Sequence, residues 1–230
     1  MPRRRLSVVI AAAALTLAAL AGCQVEPGTA AYVGNTTYTK ADVDKILAQA
    51  ERDSSKLDPR QEQGVRQQIS LFQVFVDVAT RFAGEQHYGS PALDPASVAQ
   101  QIGLPESDPY VQLLTKVDAY KTLLLNNAKP VQPTDAQVRE VYRYLIGKGV
   151  TKASYEELAP QLLQIQGFAQ ALEVRRELAD AVRRYNVRLN PLYDPDFLLL
   201  SVQSQQGSDI AVVVVSLAGG NGAPAVRDVS

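Results

Sequence analysis

The sequence predicts a mostly α protein: an irregular multi-helix domain with a small antiparallel sheet joining N- and C-terminal strands. Three observations predict it. Apolar residues recur at helical spacing in six stretches, opened by Ser, Thr or Asp in capping positions. Short β-prone runs stand near both ends, at residues 31–33 and 186–191. The 230 residues are 46% hydrophobic and 20% charged, a composition that can bury one good core.

The chain begins with Arg3, Arg4 and Arg5 and an apolar run over residues 6–20, too short for a comfortable membrane span. Leu20-Ala21-Gly22-Cys23 follows, with the only Cys in the sequence. That string resembles a bacterial lipobox. The resemblance implies cleavage between Gly22 and Cys23, fatty acylation of Cys23, and a lipid anchor on the extracytoplasmic face of the cell membrane. Residues 1–22 then form the signal peptide and residues 23–30 a tether. Each buried methylene contributes about 0.8 kcal/mol, so two or three chains hold firmly.

Cleavage would leave 20 basic against 24 acidic residues, a net charge of −4. This balance gives no electrostatic footprint for nucleic acid. One Cys and one His exclude a disulfide framework, a cysteine zinc site and a His-rich metal cluster. No cofactor is expected.

Residues 31–33 read as a strand, Gly34-Asn35 as a turn, and residues 36–38 as the return. Thr39 and Asp42 cap a helix with Val43, Ile46, Leu47 and Ala50 on one face. After a loop at residues 54–58, Asp58-Pro59 opens a helix that reaches about His87, with Gly89 as its C-cap. Between Leu71 and Phe82 it is apolar nearly all round, which predicts the central buried helix. Asp94-Pro95 opens a short helix stopped by Gly103, and Asp108-Pro109 opens another that ends before Pro130. Thr134 caps a fifth helix, broken at Gly147 and Gly149. Ser154 caps the last and longest, expected to run towards Tyr185 with a kink at Pro160. Residues 186–191 read as a short closing strand, of which residues 186–190 are expected to pair with residues 31–34. Residues 197–202 and 210–217 are apolar and β-branched, and residues 219–230 read as a loose tail.

Several of these segments follow a familiar order. They are the hairpin and capped helix at residues 31–42, the helix end and short capped helix at 81–98, the capped helices at 133–142 and 154–162, and the strand at 186–193. This order resembles the SurA N-terminal-like (SurA/PrsA/trigger-factor-type) family of exported chaperones over residues 31–193. The resemblance implies binding of unfolded or extended segments of exported proteins, and pairing of the closing strand with the first. Many members carry a parvulin prolyl-isomerase domain between the last two helices. Here the gap is residues 147–153, which cannot hold a catalytic domain. The chain is therefore expected to lack isomerase activity and not to be an enzyme. Residues 194–230 fall outside the resemblance, so their removal is expected to cost far less stability than removal of the closing strand.

Other chemistry finds simpler readings. His87 stands at a helix end, where the dipole favours it. Asp42 with Asp44, and Glu156 with Glu157, sit at helix starts, where capping accounts for acids. No Ser has a nucleophile-elbow context, and Gly219-Gly220-Asn221-Gly222 is followed by neither Lys nor helix. Aromatic residues are the remaining signal, because exposed rings bury a client's apolar side chains at low entropic cost. Phe72, Phe75, Tyr120, Tyr142 and Tyr144 are the candidates for a peptide-binding face. Two other readings remain open: a structural or dedicated partner-binding envelope lipoprotein, and a folding factor associated with prolyl isomerisation.

Overall fold

The computed structural model describes residues 28–53, 58–203 and 209–218. The lipobox with Gly22 and Cys23, most of the tether and the tail from Gly219 lie outside these residues. In order, the elements are β1 (Thr29–Val33), β2 (Thr36–Thr39), α1 (Lys40–Asp53), α2 (Pro59–Glu85), α3 (Pro95–Ile102), α4 (Pro109–Asn127), α5 (Asp135–Gly147), α6 (Tyr155–Gln164), α7 (Phe168–Arg184), β3 (Val187–Leu189), β4 (Asp196–Gln203) and β5 (Asp209–Ser216). The fold is mostly α, with a small antiparallel sheet built from both ends of the domain.

Local chemistry sets the helix starts. Thr39 and Asp42 cap α1 reciprocally: the Thr39 amide donates to Asp42 Oδ2 at 3.0 Å, and the Asp42 amide to Thr39 Oγ1 at 3.1 Å. Asp94 accepts from the Ser97 amide, and Asp108 from the Tyr110 amide, each just before a proline. Thr134 with Gln137, and Ser154 with Glu157, form complete capping boxes.

Two boundaries differ from expectation. His87, not Gly89, ends α2: it takes a left-handed φ of 57°, and the Tyr88 amide reaches back to the Ala83 carbonyl at 3.0 Å. The last long helix is two helices. α6 runs through Pro160, and the chain breaks at Gly167, whose φ of 81° stops helical propagation.

The three-stranded sheet has the order β2-β1-β3. Ala31 pairs with Leu189 and Val33 with Val187, so the expected closure of the domain is present. One face of that pairing is buried, and a side-chain amide fixes its end. Ala31, Val33 and Val187 are fully buried, and Asn190 Nδ2 donates to the Thr29 carbonyl at 3.0 Å. The β1–β2 turn is held from α2. Arg81 reaches Thr36 Oγ1 and the Val33 carbonyl while paired with Asp77 at 2.6 Å, and Tyr38 Oη donates to the same Asp77.

The main core gathers α2, α4, α5 and α7 under the β4–β5 hairpin. A smaller cluster of Ala30, Val43, Leu47, Ile69 and Leu113 seats α1 against α2 and α4. The hairpin is part of the main core: Phe197, Leu199, Val212, Val213, Val215 and Leu217 are all buried in it. This overturns the expectation that the chain after Asp194 is an inexpensive appendage. Alternation along β4, and from Val213 onward in β5, supplies a buried apolar face, and that face covers α2 and α7.

Candidate functional site

Helices α2, α3 and α4 and the first residues of β4 enclose a cleft of about 920 Å³, near the upper end of the usual range for ligand sites. Its apolar lining comes from each element in turn. α2 gives Leu71 and Phe72, α4 gives Leu114 and Val117, α3 gives Val98 and Ile102, and β4 gives Phe197 and Leu198. Ile102 and Leu198 remain 38% and 36% exposed, so the cleft has apolar surface free to be covered. Phe72 stands edge-on to Phe197, with ring centroids 6.2 Å apart and planes at 77°.

Amides provide the polar contacts. Gln67 Nε2 donates to the Leu192 carbonyl at 3.1 Å, and Tyr110 Oη donates to Gln68 Oε1 at 3.1 Å. Gln101 adds a third amide from α3. Gly64, on α2, keeps one end open: a Cβ there would meet no atom within 4 Å.

Four carboxylates line the cleft, Asp94, Asp118, Asp194 and Asp196, against one ammonium, Lys121. Asp94 also caps α3, and Asp194 Oδ1 accepts from the Asp196 amide at 3.0 Å. Burial raises the Asp196 carboxyl above the ordinary carboxylate range, the neighbouring Asp194 charge raises it further, and Lys148 partly offsets this. Ion pairs among the described residues leave out all four acids.

Of the five aromatic residues singled out by sequence, Phe72 alone lines this cleft. Phe75 is fully buried and stacks on Phe197, so it supports the site from beneath and cannot touch a ligand. Tyr120 and Tyr144 pack half-buried against the main core. Tyr142 packs edge-on against Tyr155 at 5.5 Å and donates to the Ala153 carbonyl, closing the α5–α6 connection. The expected five-residue aromatic face does not assemble, because α5 presents its two tyrosines away from the cleft. Sequence reasoning passed over Ile102, Leu114, Asp118, Phe197 and Leu198 as ligand-facing residues; Asp118, the one acid on α4, was the available signal.

Among the described residues no group of His, Cys, Asp and Glu is arranged to hold a metal ion. Nor is any helix among them long and apolar enough to cross a membrane. No family model, curated protein or solved structure matches the chain.

Proposed function

We propose that this chain is a lipid-anchored extracytoplasmic protein of the SurA N-terminal type that binds extended or unfolded segments of exported proteins without isomerising them. Anchoring rests on the lipobox-like Leu20-Ala21-Gly22-Cys23. Binding rests on one observation above all: a 920 Å³ cleft whose lining combines partly exposed apolar side chains with the amides of Gln67, Gln68 and Gln101. Apolar walls take a client's side chains, and glutamines can donate to or accept from its unpaired backbone, whatever its sequence. The antiparallel β1–β3 closure and the order of capped helices support the family reading.

The test is suppression of aggregation by the mature protein. A chemically unfolded exported enzyme is diluted into buffer and its light scattering followed. The protein should delay scattering in proportion to its concentration, and the I102S/L198S double variant should lose most of that effect. Both positions are partly exposed, so the variant should keep its fold. Exchange of X–Pro bonds should stay at the uncatalysed rate of tens of seconds. Unchanged scattering in the presence of the folded protein would refute the chaperone reading.

A further inference from the structure

The cleft carries a charge preference that a general apolar groove would not need. Resting on the peptide-binding reading above, we propose that its occupant is an extended peptide with a Lys or Arg beside its apolar side chains. The argument is charge complementarity. Asp94 caps α3, Asp118 stands on α4, and Asp194 and Asp196 lie at the entry to β4. Lys121 is the sole cation in the lining, and Lys148 lies near Asp196 from outside it. A peptide that lays apolar side chains on Phe72, Ile102 and Leu198 therefore meets acids contributed by several elements of the lining.

The acids are also available. Asp118 is exposed, and Asp196 is half-buried beside Asp194 with no ion pair among the described residues. An incoming ammonium or guanidinium relieves the repulsion between the two carboxylates, and an incoming carboxylate adds to it. The arrangement selects by repulsion as well as attraction. A segment rich in Glu or Asp is rejected even when its apolar residues fit.

The experiment uses the mature full chain and three fluorescent ten-residue peptides. They share Leu and Ala at the same positions and carry Lys, Ser or Glu at the others. Anisotropy titration at low salt should rank them Lys over Ser over Glu. Lys should bind tighter than Glu by about tenfold or more, a gap that narrows at high salt. The D118N/D196N variant should compress the ranking, weakening the Lys peptide and strengthening the Glu peptide. Both substitutions keep the side-chain shape, and the neutral form at 196 suits a site where burial disfavours charge.

Equal affinity for all three peptides, still lost in I102S/L198S, would overturn the charge preference and leave peptide binding standing. No binding of any peptide would remove both readings. Self-association of the free protein, abolished by I102S/L198S, would assign the cleft to a second copy of the chain and overturn the proposal.

Discussion

The ring of Phe75 lies flat against that of Phe197, with centroids 3.8 Å apart and planes inclined by 7°. Phe75 belongs to α2 and Phe197 to β4, so the stack ties the central helix to a hairpin more than a hundred residues later. Both rings are buried, and Phe197 also makes a T-shaped contact with Phe72 in the cleft. The floor of the cleft and the core of the fold are therefore one piece of packing.

Phe197→Ala should then cost about 3–5 kcal/mol, the range for truncating a buried aromatic. Chemical denaturation at constant slope measures it. A chain ending at Asp194 loses the six buried hairpin residues and should show no cooperative melt. A truncated chain that melts like the full one would show that the hairpin is not part of the core.

Closure of the domain hangs on Asn190. Its amide nitrogen donates to the Thr29 carbonyl, its backbone amide to the Ala30 carbonyl at 2.9 Å, and its Oδ1 accepts from the Leu192 amide. The residue is 7% exposed and Thr29 3%, so water cannot replace the lost partner. Asn190→Ala should destabilise by about 1–3 kcal/mol. Arg188→Ala, on the exposed face over Tyr32, should cost only about 0.5 kcal/mol. Urea melts of the pair decide it, and equal losses would mean that the buried amide contributes nothing special.

What could be read from the sequence was local. Thr39, Asp94, Asp108, Thr134 and Ser154 announce their helices because a cap bonds within three residues of itself. The β1–β3 pairing was expected because the family resemblance implied it and because an alternating closing strand stood at the far end of the domain from the first strand. The break at Gly167 was masked by Pro160, a stronger local signal that α6 nonetheless accommodates. Of the cleft, only Phe72 was singled out from the sequence. Its lining runs from Gly64 to Leu198, and only tertiary packing decides which sides of α2, α3 and α4 face it. Phe75 illustrates the difficulty: on a helix apolar nearly all round, periodicity cannot separate the ring that meets solvent from the ring that meets Phe197.

Anchoring is tested at Cys23. Wild-type protein expressed in a bacterium should incorporate a fatty-acid probe and partition with membranes. Cys23→Ser should carry no probe, and should remain as uncleaved precursor or be released. Labelling of the Ser variant would place acylation elsewhere and end the lipobox reading.

Alkaline pH should unfold the protein through two phenols. Burial, then the Asp77 carboxylate, raises Tyr38 well above the ordinary value for tyrosine. Burial and the neighbouring Glu85 raise Tyr185 from 10.0 to about 12. In both cases the folded chain holds its proton more tightly than the unfolded chain does. The stabilisation is fully present below the unfolded value of 10.0 and is lost as pH climbs through the folded one. Each phenol should contribute on the order of 1 kcal/mol once solvent screening is allowed for. Tyr38 matters more to the architecture. Its phenolate would face Asp77, which Arg81 also engages while holding the β1–β2 turn. Denaturation midpoints between pH 9 and pH 12 should fall with rising pH, together with the appearance of phenolate absorbance. Tyr185→Phe removes one titrating group and should flatten the fall, whereas Tyr38→Phe should flatten it further at the cost of a hydrogen bond to Asp77. A midpoint that stays level through this range, or falls equally in both variants and the parent, would show that these tyrosines ionise alike in the folded and unfolded chains.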